Sequence, residues 1–170
     1  MRITAAQLNY QIGDFAGNCE KILNVIEKHA SSDLIVFSEL CISGYYPYDL
    51  IEREGFMKSQ EEAIQGLLLK TQSKSCAIAI GVIAKNKGKG KPYHNGMIVM
   101  HKGQIVYEYH KQLLPMYNIF DEARHFEPGT ESSVFKWKNK TIAFLICEDA
   151  WGGLEAVYKV DPVTSFAKHK

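Results

Sequence analysis

Three residues able to hydrolyse an amide stand where apolar runs end. Glu39 lies just past Leu34-Ile35-Val36-Phe37, and Lys111 follows an alternating stretch and precedes Leu113-Leu114-Pro115. Cys147 closes Ala143-Phe144-Leu145-Ile146 and is followed by Glu148, Asp149 and Trp151. A thiol that attacks an amide carbonyl needs a base for its proton, a cation or hydrogen-bond donors for the oxyanion, and an acid for the departing nitrogen. Glu, Lys and Cys supply those parts if they converge. Each also has a plainer reading alone: a turn carboxylate, a surface lysine, a packed cysteine. Neighbouring strands of a sheet lie about 4.8 Å apart, so convergence is feasible if the three run ends share one edge.

The elements that must position these residues follow from periodicity. Residues 3–8 form an apolar run of strand length. Asn18 is a candidate cap for a helix in which Cys19, Ile22, Val25, Ile26 and His29 recur on one face. Residues 34–37 are apolar without alternation, as in a strand covered on both faces. Residues 52–71 carry a second helical pattern, weakened by Gly55 and Gly66. Residues 76–83 predict a third core strand. Two hairpins follow: 97–100 with 104–109, turned at Lys102-Gly103, and 133–137 with 141–147, turned at Asn139-Lys140. The order strand, helix, strand predicts an α/β fold with a mixed sheet. Seven strands against two good helices leave one sheet face to be covered by a further layer.

Composition removes several function classes. The chain has 170 residues, 46% hydrophobic and 23% charged, which suits one substantial globular core. Twenty basic residues against 19 acidic ones give a net charge of +1, poorly suited to a partner held by many phosphates. No nucleic-acid partner is expected, and the lysine-rich stretch 85–92 reads as a solvated loop. No run approaches the roughly 18 apolar residues of a membrane helix, and the start lacks the pattern of a secretory signal. The expectation is a cytoplasmic protein with no membrane partner. Cys19, Cys41, Cys76 and Cys147 form no Cys-x-x-Cys pair, so neither a disulfide framework nor a metal site is expected.

The spaced residues resemble a known set. Glu39 in Phe37-Ser38-Glu39-Leu40, Lys111 in His110-Lys111-Gln112-Leu113-Leu114-Pro115, and Cys147 in Leu145-Ile146-Cys147-Glu148-Asp149 resemble the catalytic triad of the nitrilase, or carbon–nitrogen hydrolase, superfamily. Gly44-Tyr45-Tyr46-Pro47-Tyr48-Asp49-Leu50, the loop from Leu114 to Arg124, and Cys147-Glu148-Asp149-Ala150-Trp151 resemble its glutaminase branch, the amino-terminal domain of glutamine-dependent NAD synthetases. The resemblance implies an α-β-β-α sandwich that oligomerises, here shortened to about its first two-thirds. Residues 1–170 would be a single glutaminase domain, incomplete at the carboxy end.

Further expectations follow from that resemblance. Glu39, Lys111 and Cys147 would be catalytic. Tyr117, Glu122 and Glu148 would bind or orient glutamine, with the backbone N–H of Glu148 donating to the oxyanion. Trp151 would either wall the pocket or cap the core. The implied activity is glutamine hydrolysis that releases ammonia for NAD synthesis. Rival expectations are a free-standing hydrolase of another small amide and a catalytically silent binding or oligomerising module. No cofactor is expected for this domain. ATP and Mg²⁺ would serve only a synthetase domain or subunit, whose Ser-Gly-Gly-x-Asp motif does not occur here.

Overall fold

The computed structural model describes residues 1–151 and 158–168. In chain order the elements are β1 (Ile3–Ala6), α1 (Phe15–Lys28), β2 (Leu34–Phe37), a 3₁₀ turn (Tyr48–Glu52), α2 (Glu54–Thr71), β3 (Ala77–Lys85), β4 (Tyr93–His101), β5 (Gln104–His110), α3 (Glu122–His125), β6 (Phe135–Trp137), β7 (Lys140–Ile142), a 3₁₀ turn (Cys147–Trp151) and α4 (Pro162–Ala167). Five strands form one sheet in the order β1-β2-β3-β4-β5, and β6 and β7 form a second. The chain divides into two compact units, Met1–Ile83 with Met97–Glu108, and Ala84–Gly96 with Tyr109–Lys170. Strands β3, β4 and β5 give residues to both.

The first unit opens with two βαβ steps. β1 pairs parallel to β2 from Ile3↔Leu34 to Ala6↔Phe37, and β2 pairs parallel to β3 from Leu34↔Ala77 to Val36↔Ala79. Parallel neighbours need a crossover, and α1 and α2 supply it. Helix α1 begins earlier than its periodicity suggests. Asp14 is the cap and accepts from the Gly17 N–H at 2.9 Å, while Asn18 is fully buried inside the first turns. The Asn18 amide donates to the carbonyls of Gln11 and Ile42 and accepts from the Gln11 N–H, fastening two loops to the helix. Asn18 is therefore corrected from cap to loop anchor.

Ile22 and Ile26 of α1 and Leu67 of α2 are almost wholly buried, and Phe15 meets Phe56 edge-on at 4.9 Å between centroids. Gly55 and Gly66 face open space and leave α2 unbroken. Gln60 of α2 is buried and donates to the Ile83 carbonyl at 2.8 Å while accepting from the Ile83 N–H at 3.0 Å. Residues 77–84 of β3 are buried without alternation, as expected of a strand covered on both faces. Lys102 and Gly103 both have positive φ, 49° and 75°, the backbone of a tight two-residue turn whose twist suits an antiparallel pair.

In the second unit β6 and β7 pair antiparallel from Phe135↔Ile142 to Trp137↔Lys140. The turn is Lys138-Asn139, at φ 45° and 59°, one residue earlier than the spacing predicts; Lys140 is already in the strand. The strand expected over 141–147 also ends early, at Ile142. Phe144 and Ile146 still point inward and Leu145 outward. The ladder nevertheless stops at Ile142, and four residues on the Ile146 N–H is taken by the Asp149 carboxylate at 3.1 Å. The lysine-rich stretch is a loop, organised by Asn86, whose amide donates to the carbonyls of Lys89 and Lys91.

Candidate active site

Glu39 belongs to the first unit and is half-buried on the turn that leaves β2. The next residue, Leu40, is fully buried at φ 47°, a left-handed conformation uncommon for a branched side chain. Gly81 on β3 makes room for this turn. A Cβ there would lie 2.3 Å from the Leu40 nitrogen, 2.6 Å from the Ser38 oxygen and 2.8 Å from the Glu39 carbonyl carbon. The Gly81 carbonyl accepts from the Ile42 N–H at 3.4 Å and from the Cys41 thiol at 3.6 Å. Burial pushes the Cys41 thiol up to about 12, so it is a packed, protonated sulfur and no nucleophile.

Lys111 belongs to the second unit, one residue beyond β5. Its N–H donates to Asn95 and its carbonyl accepts from Gly129, each at 2.8 Å. Gly129 can approach so closely because it has no Cβ; one would lie 2.3 Å from the His110 oxygen. The side chain is fully buried, and its Nζ donates to Glu122 Oε1 at 2.8 Å. Glu122 opens α3, is itself fully buried, and accepts from Asn95 Nδ2 through its other oxygen at 3.2 Å. Its carboxylate is thus the partner of the lysine ammonium. An ammonium placed so deep needs such a counter-charge.

Cys147 is exposed, whereas Cys19 is half-buried and Cys41 and Cys76 are buried. It opens the 3₁₀ turn at φ 47°, a strained placement for a side chain and one frequent at functional positions. Asp149, two residues on, is fully buried and holds the turn. Its Oδ1 accepts from the N–H groups of Gln112 and Leu113 at 3.0 and 2.9 Å, and its Oδ2 from the Tyr109 hydroxyl at 2.8 Å and the Ile146 N–H. Burial pushes this carboxyl above the ordinary aspartate range, with the four donated bonds pulling the other way. Glu148 is buried, and accepts at 2.8 Å from the hydroxyls of both Tyr117 and Tyr158.

Tyr117 is 47% exposed and rests edge-on against Phe120, so it does not fill the core. Trp151 is 56% exposed, which removes the reading of it as a core cap. The sequence-predicted residues thus fall into linked sets. Lys111 is joined to Glu122, and Tyr117 to Glu148; Cys147 shares a turn with Glu148, and Glu39 stands in the other unit. Two residues with structural weight were not singled out by spacing. Asn95 lies within β4, and the only signal for Asp149 is an acid next to another acid at the end of an apolar run. Chemically, the second unit offers an exposed thiol on a pinned turn and a buried, oriented ammonium, the parts of acyl-transfer chemistry at an amide.

Comparison with known proteins defines the class. The carbon–nitrogen hydrolase family matches residues 2–159, and the chain belongs to that family. Among its relatives are glutamine-dependent NAD(+) synthetases. That of Aquifex aeolicus is 36% identical over 157 residues, covering 89% of this chain and 26% of that protein. That of Synechocystis sp. is 37% identical over 172 residues, covering 95% and 30%. The chain therefore spans under a third of the length of these relatives. The glutamine-dependent NAD+ synthetase of Acinetobacter baumannii superposes with a TM-score of 0.85 at 28% identity, over 99% of this chain and 30% of that one. An amidase from Nesterenkonia sp. superposes at 0.73 and 18% identity, over 88% and 56%, and shares the fold. The fold is accordingly the α/β fold of the nitrilase superfamily, with a helix-flanked sheet. No described helix is long and apolar enough to cross a membrane.

Proposed function

We propose that this chain hydrolyses the side-chain amide of glutamine and supplies ammonia for NAD synthesis, as the glutaminase part of a glutamine-dependent synthetase. The observation that supports this best is the exposed Cys147 thiol, held at positive φ on a turn fastened to the segment after Lys111, in a chain 36–37% identical to such synthetases.

In this reading Glu39 takes the Cys147 proton and the sulfur attacks the glutamine amide carbon. The oxyanion forms against the Lys111 ammonium and the Glu148 N–H. Protonated Glu39 then gives its proton to the departing nitrogen, and ammonia leaves a thioester. Water attacks that thioester with Glu39 again as base, releasing glutamate and the thiol. Lys111 remains charged throughout, because Glu122 holds it; each aligned oxyanion donor contributes about 3–4 kcal/mol in the transition state. Tyr117 and Glu148 line the glutamine site. The ammonia serves a synthetase domain or subunit, and ATP and Mg²⁺ belong to that unit's chemistry. Self-association through the sandwich is part of the same reading.

The test is ammonia release from glutamine by the wild-type chain and by Cys147→Ala, with sedimentation for the assembly state. Release that disappears in the variant supports the reading. Release from acetamide or another small amide but not from glutamine replaces it with a free-standing amidase, and release from neither in the assembled protein refutes catalysis by this chain.

A further inference from the structure

We infer that Asp149 is a positioning residue: its carboxylate sets the Cys147 sulfur relative to the Lys111 ammonium. This rests on the proposed thiol chemistry and extends it to a side chain that does not touch substrate.

The carboxylate has donors on both oxygens, from three stretches of the second unit. Two are the consecutive N–H groups of Gln112 and Leu113, the residues directly after Lys111. A third is the Ile146 N–H, directly before Cys147. The fourth is the hydroxyl of Tyr109 on β5, which is 2% exposed. The Asp149 N–H donates in turn to the Ile146 carbonyl at 3.1 Å, so the residues flanking the nucleophile are locked by bonds in both directions. Lys111 cannot shift along the chain independently, since its own N–H and carbonyl are held by Asn95 and Gly129. The chain on one side of the nucleophile and the chain following the ammonium thus share a single buried anchor.

The anchor must be a carboxylate, because all four partners donate. An amide offers one accepting oxygen, and its NH₂ would face either the two consecutive N–H groups or the Ile146 N–H and tyrosine hydroxyl. A Glu carries the charge on a longer arm and cannot reach all four donors from the same backbone.

Positioning and plain electrostatics predict opposite signs. Asp149 is a negative charge near the thiol, so removing only that charge would favour the thiolate. Loosening the turn from Lys111 would remove a favourable cation and disfavour it. The experiment is carbamidomethylation of Cys147 by iodoacetamide across pH 5–10, followed by peptide mass mapping, in wild type, Asp149→Asn, Tyr109→Phe and Lys111→Ala. It needs no glutamine. If the glutaminase reading fails, ammonia release is absent while this titration still decides the role of Asp149.

The expected result is a rise in the pH midpoint for Asp149→Asn, with a roughly tenfold slower reaction at pH 7. Tyr109→Phe, which removes one donor and no charge, should give a smaller rise in the same direction and decides the matter if Asp149→Asn does not fold. Adding Asp149→Asn to Lys111→Ala should give little further slowing. A midpoint that is unchanged or lowered in Asp149→Asn, or in Tyr109→Phe where that variant decides, overturns the inference. So does full additivity with Lys111→Ala.

Discussion

Replacing Glu122 by Gln is the sharpest test of the buried pair. The ammonium and carboxylate are 2.8 Å apart with neither side chain exposed, and at an effective dielectric near 20 their attraction is about 6 kcal/mol. Desolvation of both groups offsets much of that, but the lysine's share of this cost remains, uncompensated, when only the glutamate charge is deleted. Gln fills the same volume, yet its amide cannot satisfy both neighbours: if its oxygen faces Lys111, its NH₂ confronts Asn95 Nδ2, and the reverse orientation turns a donor toward the ammonium. The expected loss is about 3–5 kcal/mol. For a domain of this size that corresponds to a Tm lower by roughly 6–20 °C. Urea unfolding followed by circular dichroism would measure it, with the m-value checked for constancy. Lys111→Met in the same background removes the stranded charge and should recover at least about 1 kcal/mol. A loss below about 1 kcal/mol for Glu122→Gln, or a double variant no more stable than the single one, would refute the reasoning.

Gly81→Ala should cost about 1–3 kcal/mol, because its Cβ would press on the backbone at Leu40 and Ser38 with no flexible group to yield; urea titration reads the cost. Ammonia release should fall further than the folded fraction does, since the Glu39 turn itself must move, and a proportional fall would count against Glu39 as the base. Cys41, with its thiol pushed up to about 12, should stay unmodified by iodoacetamide at pH 8 while Cys147 reacts, as peptide mapping would show. The same shift predicts a pH dependence. The native state keeps the Cys41 proton between about 9 and 12 while the unfolded chain loses it, so this contribution is complete below pH 9 and declines by up to about 1.4 kcal/mol per pH unit above it. Cys41→Ala should flatten that part of the wild-type profile in urea titrations at pH 8–11. Asp14→Ala should lose about 1 kcal/mol by removing the cap of α1, while Cys19→Ser on the same helix retains it.

Much of the fold was legible because its signals are local. β2 lies on the four residues its apolar run predicts, and the β4–β5 turn falls on Lys102-Gly103, where Gly accepts positive φ freely. The errors arose where two residues of one chemical type competed or a distant group intervened. Asp14 and Asn18 are both good capping residues, and only the folded loops at Gln11 and Ile42 decide that Asn18 is spent elsewhere. The apolar run 143–146 reads as strand and its burial does alternate, but no periodicity reveals that an aspartate three residues past Ile146 takes that residue's N–H. Glu39, Lys111 and Cys147 stood out as reactive residues at the ends of apolar runs. Glu122 and Tyr117 entered only through resemblance, since the partner of each is set by folding: Glu122 meets a lysine eleven positions back, and Tyr117 a glutamate thirty-one positions on. The place of Asp149 was illegible for the same reason, as three of its four donors sit 36, 37 and 40 residues away.

The double hydrogen bond from Gln60 to Ile83 has a consequence for solubility. β2 accompanies β3 only as far as Ala79, while β3 continues to Lys85, leaving a stretch of main chain beyond its shorter neighbour. Gln60 occupies both bonding groups of Ile83 as a strand would, so a helix side chain masks a place where a foreign β-segment could add. Shortening or branching that side chain would unmask a template for misassembly, and such a variant would be expected to accumulate as fibrils or inclusion bodies even while Lys111 and Cys147 kept their local partners.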